Sequence, residues 1–208
     1  MEKRGTNIKD EDLASTLYKE YLAFRKKIMS IDNMLKKFLL FIGFLNNWFT
    51  KNGIGYLVIT GGFAVEVLTG QAYRTMDVDL IASNHRVAEI LEAFLEKAGE
   101  KIARGYILRD EELMFKSIDI VASTYTRRKK PVKILVDDYY VFVDPPEELI
   151  VSYLAGWKYW KSTEDRDKAI WIYSILRDKL DKEYLLQRAL EEDVGDKLKF
   201  LEELFGDH

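Results

Sequence analysis

Gly61-Gly62 stands between an apolar, β-favouring run and a helix-favouring one, and within one helix length the chain reaches Met76-Asp77-Val78-Asp79-Leu80. No other stretch restricts the fold as much. "GYLVIT" (Gly55 to Thr60) reads as a strand, "FAVEVL" as the start of a short helix and "VDLIAS" (Val78 to Ser83) as a second strand. Glycines at the first junction let the backbone turn sharply, and the helix that follows offers unpaired N–H groups to a phosphate. In a strand, residues two apart point to one face, so Asp77 and Asp79 project together while their apolar neighbours enter the core. Separately, each part has an ordinary explanation: a tight strand-to-helix turn, or a solvent-facing strand end with acidic residues. Their succession is more informative. Mg²⁺ takes oxygen ligands and commonly joins one or two carboxylates to substrate phosphates. A glycine phosphate cradle followed by a carboxylate pair therefore suits a nucleoside triphosphate and its metal.

A third carboxylate extends the pattern. Asp119 lies between Ile118 and Ile120 in "FKSIDIVAS" (Phe115 to Ser123), where an apolar face leaves it pointing the other way. A charge in such a strand is costly unless it sits at an exposed edge or serves a site. If this strand lies beside the Val78 to Ser83 run, Asp119 joins Asp77 and Asp79 in a cluster able to hold two ions, which can clamp both oxygens of an in-line phosphoryl displacement. Asp137 and Asp138 fit a turn better.

Around this segment the chain is organised in three parts. Residues 1–53 read as two helices, from the helical recurrence of Leu13, Leu17, Tyr21 and Phe24 and the more apolar stretch Ile31 to Phe49, ended at Asn52-Gly53. Residues 54–144 alternate short strands with helices. To the strands already named they add "VKILV" (Val132 to Val136) and "YYVFV" (Tyr139 to Val143), joined by a hairpin turn, and they include a helix over Arg86–Ala98. Residues 145–208 are helical after Pro145-Pro146, which can open a helix in its first turn. The predicted class is a mixed α/β (α+β) core with N-terminal helices and a helical C-terminal subdomain.

Composition narrows the setting. With 48% apolar and 32% charged residues the chain reads as globular. Its longest apolar stretch, Phe38 to Phe49, is too short and too interrupted by Asn46 and Asn47 to span a bilayer. "MEKRGTNIKDEDL" has no apolar segment of the signal-peptide kind. The absence of cysteine excludes disulfides and thiolate metal sites and makes a cytoplasmic location the expectation. "RRKKPVK" (Arg127 to Lys133) carries five cations. Together with Lys116 it is a candidate contact for an RNA backbone, or else a solvated loop. His85 and His208 are too isolated for a metal or a triad. Trp157, Trp160 and Trp171, with Tyr153, Tyr159 and Tyr173, have the helical spacing of an aromatic core, although stacking on a base is the alternative.

"GGFAVEVLTGQAYRTMDVDL", with the later "SIDIV", resembles the signature of the nucleotidyltransferase (DNA polymerase β-like) superfamily: a glycine turn, a helix, an hDhD strand and a later hDh. Arg74-Thr75 ahead of the acidic strand, and the "PEELI" start of the C-terminal helices, are similar to AbiEii-like abortive-infection toxins and other minimal members. The tRNA-maturing and polyadenylating branches usually follow their glycines with Val-Arg-Asp, where this chain has "AVE". The resemblance covers roughly Gly55 onward. It implies a nucleotidyltransferase fold in which Asp77, Asp79 and Asp119 hold Mg²⁺, in two ions, or Mn²⁺. Gly61, Gly62, Arg74 and Thr75 would meet the nucleotide's phosphates, and a lysine and an aspartate from the helices would complete the site. Asp167 in "DRD" fits the aspartate. The family's lysine falls where this chain has Tyr153, and Lys158, just over one turn later, is the candidate in its place. The activity implied is transfer of a nucleoside monophosphate from an NTP to a hydroxyl acceptor, either an RNA or tRNA 3′ end or a protein side chain, with an antitoxin as partner if the chain is a toxin. The alternatives are a non-catalytic protein of the same fold that binds nucleotide, RNA or a protein, and a small-molecule transferase acting on an aminoglycoside-like hydroxyl.

Overall fold

In the computed structural model, which describes residues 8–206, the elements divide into two compact units. His208 and the first seven residues of the N-terminal stretch lie outside the described residues.

The first unit comprises residues 1–59, 76–126 and 132–143. It is built on a seven-stranded sheet of order β3-β4-β5-β2-β1-β7-β6, whose strands are β1 (Leu57–Thr60), β2 (Asp77–Ala82), β3 (Gly99–Lys101), β4 (Tyr106–Leu108), β5 (Ser117–Ala122), β6 (Val132–Val136) and β7 (Tyr139–Val143). The sheet is mixed. β1 pairs β7 and β2 pairs β5 in parallel, while β3/β4, β4/β5 and β6/β7 are antiparallel. The β6–β7 hairpin turns at Asp137, whose φ of 52° is the left-handed conformation that Asp tolerates, as the Asp-Asp reading anticipated.

Three helices complete this unit: α1 (Ile8–Met29), α2 (Met34–Lys51) and α4 (His85–Ala98). α1 packs on α4, and α2 packs on β7. Tyr21, Phe41 and Phe94 meet edge to face or tilted at their centre, with ring centroids 5.6–6.2 Å apart. Tyr21 also donates to Asp110 at 2.7 Å, and Arg25 lies 3.0 Å from the same carboxylate. Burial and that hydrogen bond push the Tyr21 hydroxyl's pKa well up. The helix predicted over Arg86–Ala98 is α4, capped by Gly99, and the hairpin β3–β4 that follows adds two strands the sequence reading does not include. Three-residue strands are too short for a period-two signal to emerge.

Asn46, which interrupts the apolar run of α2, is fully buried, and its amide brackets β1: Oδ1 accepts from the Leu57 N–H at 2.7 Å and Nδ2 donates to the Leu57 carbonyl at 3.2 Å. At the far end of β2, the Ser83 hydroxyl accepts from the Tyr56 N–H at 2.9 Å. The Asn84 amide donates to the Ile54 carbonyl and accepts from the first turn of α4 at Val87. These bonds satisfy the backbone groups where β1 begins and so hold the strand that leads to the glycine turn.

The second unit comprises residues 60–75, 127–131 and 144–208. Its helices are α3 (Gly61–Leu68), α5 (Pro146–Trp160), α6 (Thr163–Leu176), α7 (Lys182–Glu191) and α8 (Gly195–Phe205), with a 3-10 turn at Arg177–Lys179. Pro146 occupies the first turn of α5, where its missing N–H costs nothing. α5 packs most closely on α6, where a side chain at Gly156 would collide with Asp165. α3 packs on α6, so the helix after the glycines belongs with the helical unit. None of the described helices is long and apolar enough to cross a membrane.

Candidate active site

The carboxylates belong to the sheet unit. The parallel register of β2 and β5 sets Asp77 opposite Ser117 and Asp79 opposite Asp119. Side chains in register on adjacent strands share a face, so all three aspartates project from the same side of the sheet. Val78, Leu80 and Ile118, on the other side, are fully buried, while Asp79 and Asp119 are half-buried and Asp77 is exposed. The Ser117 hydroxyl donates to Asp77 Oδ1 at 2.5 Å, and Arg104 Nε lies 3.9 Å from Asp119 Oδ2. The placement of β5 beside β2, which the sequence posed as a condition, is therefore met.

Whether these residues suit a divalent cation is a question of donor chemistry. Three carboxylates on one face form a hard, oxygen-only donor set of the kind Mg²⁺ or Mn²⁺ takes. Among the described residues no group of three or more Asp, Glu, His or Cys side chains is gathered into a cage. An ion here would rest on one or two of the carboxylates and complete its shell from phosphate and water, the usual habit of Mg²⁺.

The glycines belong to the helical unit. Gly61 has φ 59°, a left-handed conformation that costs about 1–2 kcal/mol for a residue with a Cβ. Gly62 is buried, and a Cβ there would stand 3.1 Å from Thr75 Oγ1 and 3.3 Å from the Tyr73 ring. Thr60, just before them, donates to the buried Asp144 at 2.6 Å. Glu66, 3% exposed in an otherwise apolar helix, accepts from the Thr75 N–H at 3.2 Å and ties down the loop that carries Arg74 and Thr75. Glu66 was not singled out from the sequence, although a carboxylate inside "FAVEVL" is the kind of buried polar residue that needs a partner.

Lys158 forms ion pairs with Asp193 at 3.2 Å and Asp196 at 3.1 Å, and it also donates to the Asp193 carbonyl. Asp167 is exposed and pairs with its neighbour Arg166 at 2.8 Å. Lys168, one residue on, was missed. Its side chain is 13% exposed, 2.8 Å from Glu164, and its ammonium lies 5.3 Å from the Tyr73 ring centroid and 5.4 Å from that of Tyr153. Burial works against the Lys168 charge, but the hydrogen bond and charge of Glu164, with help from Tyr73, outweigh it and raise the pKa. The available signal was the Glu164–Lys168 spacing of four, which is too common on helices to mark a site.

In the basic stretch, Arg127 lies 3.6 Å from Asp144 and 3.9 Å from Glu148, Arg128 pairs with Glu191 at 2.7 Å, and Lys129 with Glu147 and Asp181 at 2.9 and 3.3 Å, while Lys130 and Lys133 are exposed. Three of its five cations thus pair with carboxylates of the helical unit. Lys116 is buried. The aromatic core reading holds for Tyr153 and Tyr173, which are buried, and fails for Trp160, which is 80% exposed, and for Tyr159, which is exposed at the end of α5.

The sequence model of the family described as "Nucleotidyltransferase of unknown function (DUF6036)" matches residues 36–200, well over half of the chain. No match was found among curated proteins. Among solved structures, the chain is similar to an antigenic nucleotidyltransferase-like protein from Paracoccidioides brasiliensis, at 17% identity and a TM-score of 0.50, covering 81% of this chain and 93% of that one. At that identity the likeness is one of fold. The solution structure of the antibiotic-resistance factor ANT(2'')-Ia matches at 17% identity and a TM-score of 0.44, covering 79% and 95% of the two chains.

Proposed function

The chain belongs to this family of nucleotidyltransferases, and we propose that it transfers a nucleoside monophosphate from an NTP to a hydroxyl acceptor in a reaction dependent on Mg²⁺. The observation that carries this reading is the register of β2 and β5, which puts Asp79 and Asp119 side by side with Asp77 on the same face. Asp77 and Asp79 are the residues to hold the metal, and Asp119 joins them and accepts a proton from the acceptor hydroxyl. Bound there, the metal supplies charge to stabilise the α-phosphate as pyrophosphate leaves. The turn at Gly61-Gly62, with Arg74 and Thr75, is the phosphate-binding part. Gly61 allows the left-handed bend, and the start of α3 offers N–H groups where a side chain would obstruct them.

For the acceptor, the likeness of Arg74-Thr75 and the acidic strand to AbiEii-like toxins supports an RNA or tRNA 3′ end, or a protein hydroxyl, with a cognate antitoxin if the protein is a toxin. The neutralised Arg127–Lys129 stretch means that an RNA acceptor would have to be held by other residues.

Label transfer tests the reading. The protein is incubated with Mg²⁺ and each α-³²P-NTP in turn, with total RNA, cell protein or aminoglycosides as acceptors, beside an Asp77→Ala, Asp79→Ala variant. Label reaching an acceptor only with the aspartates intact supports the transferase and identifies nucleotide and acceptor class together. Folded protein that transfers nothing from any NTP to any of these acceptors sinks it in favour of a binding role.

A further inference from the structure

Asp77, Asp79, Ser117 and Asp119 form a square of oxygen-bearing side chains on one face of the sheet. One rung of the β2–β5 ladder pairs Asp79 with Asp119, and the other pairs Asp77 with Ser117. The rungs differ in what they need. Two carboxylates side by side repel each other, and a cation between them relieves the repulsion. The Asp77–Ser117 rung carries its own donor, since the serine hydroxyl reaches Asp77 Oδ1 at 2.5 Å. That length is at the short end for a hydroxyl meeting an ionised carboxylate, the stronger class of hydrogen bond.

Ser117 is placed to hold this bond rigidly. It is 8% exposed, and its own N–H donates at 2.9 Å to the carbonyl of Met76, the neighbour of Asp77. The hydroxyl is therefore fixed by the backbone ladder of β2 and β5 and by a side chain with a single rotor. In "SIDIV" the serine stands two residues before Asp119, so alternation along β5 puts both on the same face.

The bond bears on the choice of ion. Ca²⁺ takes more oxygens at longer distances and accepts a carboxylate through both of its oxygens, whereas Mg²⁺ keeps a tight octahedron. A carboxylate with one oxygen held in a short hydrogen bond meets an ion through the other. Groups that orient a metal's ligands in this way govern affinity nearly as much as the ligands do. Resting on the transferase reading, we infer that Ser117 is a positioning residue for the metal: its hydroxyl turns Asp77 to coordinate through a single oxygen and so makes this face prefer Mg²⁺ or Mn²⁺ to Ca²⁺.

The test is ion binding in the absence of nucleotide. Mn²⁺ is titrated into the protein and followed by electron paramagnetic resonance, with Mg²⁺ and Ca²⁺ as competing ions. Proteins compared are the wild type, Ser117→Ala, Ser117→Thr and Asp79→Ala, each checked for folding by circular dichroism. Asp79→Ala should remove the ion, which identifies it as the one on this face. Ser117→Ala is expected to weaken Mn²⁺ and Mg²⁺ about tenfold, the low end for losing a group that orients a ligand. Ca²⁺, given both oxygens of Asp77, should weaken less than about twofold, so the preference for Mg²⁺ falls about fivefold. Ser117→Thr keeps the hydroxyl and should keep the preference. The inference is overturned if Ser117→Ala binds Mg²⁺ as tightly as the wild type, or if Ser117→Thr loses the preference as well. Equal weakening of Mg²⁺ and Ca²⁺ also overturns it, because that marks a loosened strand. A wild type that binds no ion, or whose ion survives Asp79→Ala, overturns the metal-dependent transferase reading itself.

Discussion

The carboxylate strands of the sheet unit and the cations of the helical unit hold their charges by different means. On β2 and β5 the position of each aspartate follows from backbone register: Asp77 and Asp79 share a face because they are two apart, and Asp119 joins them because β5 pairs beside β2 without a shift until Leu80. Among the cations, position follows from side-chain partners distant in sequence. Arg127 reaches Asp144 and Glu148, Lys129 reaches Glu147 and Asp181, and Lys158 reaches Asp193 and Asp196. A charge placed by the backbone is costly to move and suits repeated chemistry. Long side chains satisfied by several acids mainly bind their own unit together.

The contrast is sharpest where a single change should remove function without unfolding the chain. Asp119→Asn keeps the shape of β5 and removes one charge from the shared face. Transfer is expected to fall at least about a thousandfold, several kcal/mol of transition-state stabilisation at 1.4 kcal/mol per tenfold, with thermal stability unchanged. A steady-state rate near the wild type's would show that the face does no chemistry.

Asn46→Ala is the next largest effect, and it falls on stability. It leaves the Leu57 N–H unpaired in a fully buried place and removes one of the bonds to the Leu57 carbonyl. Urea titration should show a loss of about 1–3 kcal/mol, the cost of one buried unsatisfied donor. Gly61→Ala follows, at about 1–2 kcal/mol for a Cβ in the left-handed region, together with weaker NTP binding. A variant as stable as the parent would mean that the turn relaxes to a negative φ.

The smallest effect tests the cation side of the comparison by pH. Arg188, and then Arg128, hold the Glu191 carboxyl down at about 2 from an ordinary 4.5. A depressed carboxyl stabilises the fold fully above about pH 4.5, and that contribution disappears as the pH falls towards about 2. Arg188→Met should therefore lower the melting temperature more at pH 6 than at pH 3. Equal losses at both values would show that the guanidinium matters through packing alone.

Strand-borne features were legible because their periods are short and local. Alternation across "MDVDL" and "SIDIV" gave the faces, Pro145-Pro146 the start of α5, and Asp137-Asp138 the β6–β7 turn. The β3–β4 hairpin was not legible, because three residues per strand carry no period, and Glu66 and Lys168 were not, because their significance is burial against residues far along the chain.

By itself, then, the sequence determined which residues could form a face or a turn, since side-chain direction along a strand and the backbone freedom of glycine are local properties. Only the tertiary structure decided that β5 lies beside β2, that Arg127, Arg128 and Lys129 pair with distant carboxylates, and that Lys168 is the lysine brought within cation–π range of two tyrosine rings. Those outcomes depend on which distant groups compete for the same charge and the same dry volume, and no window along the chain contains both competitors.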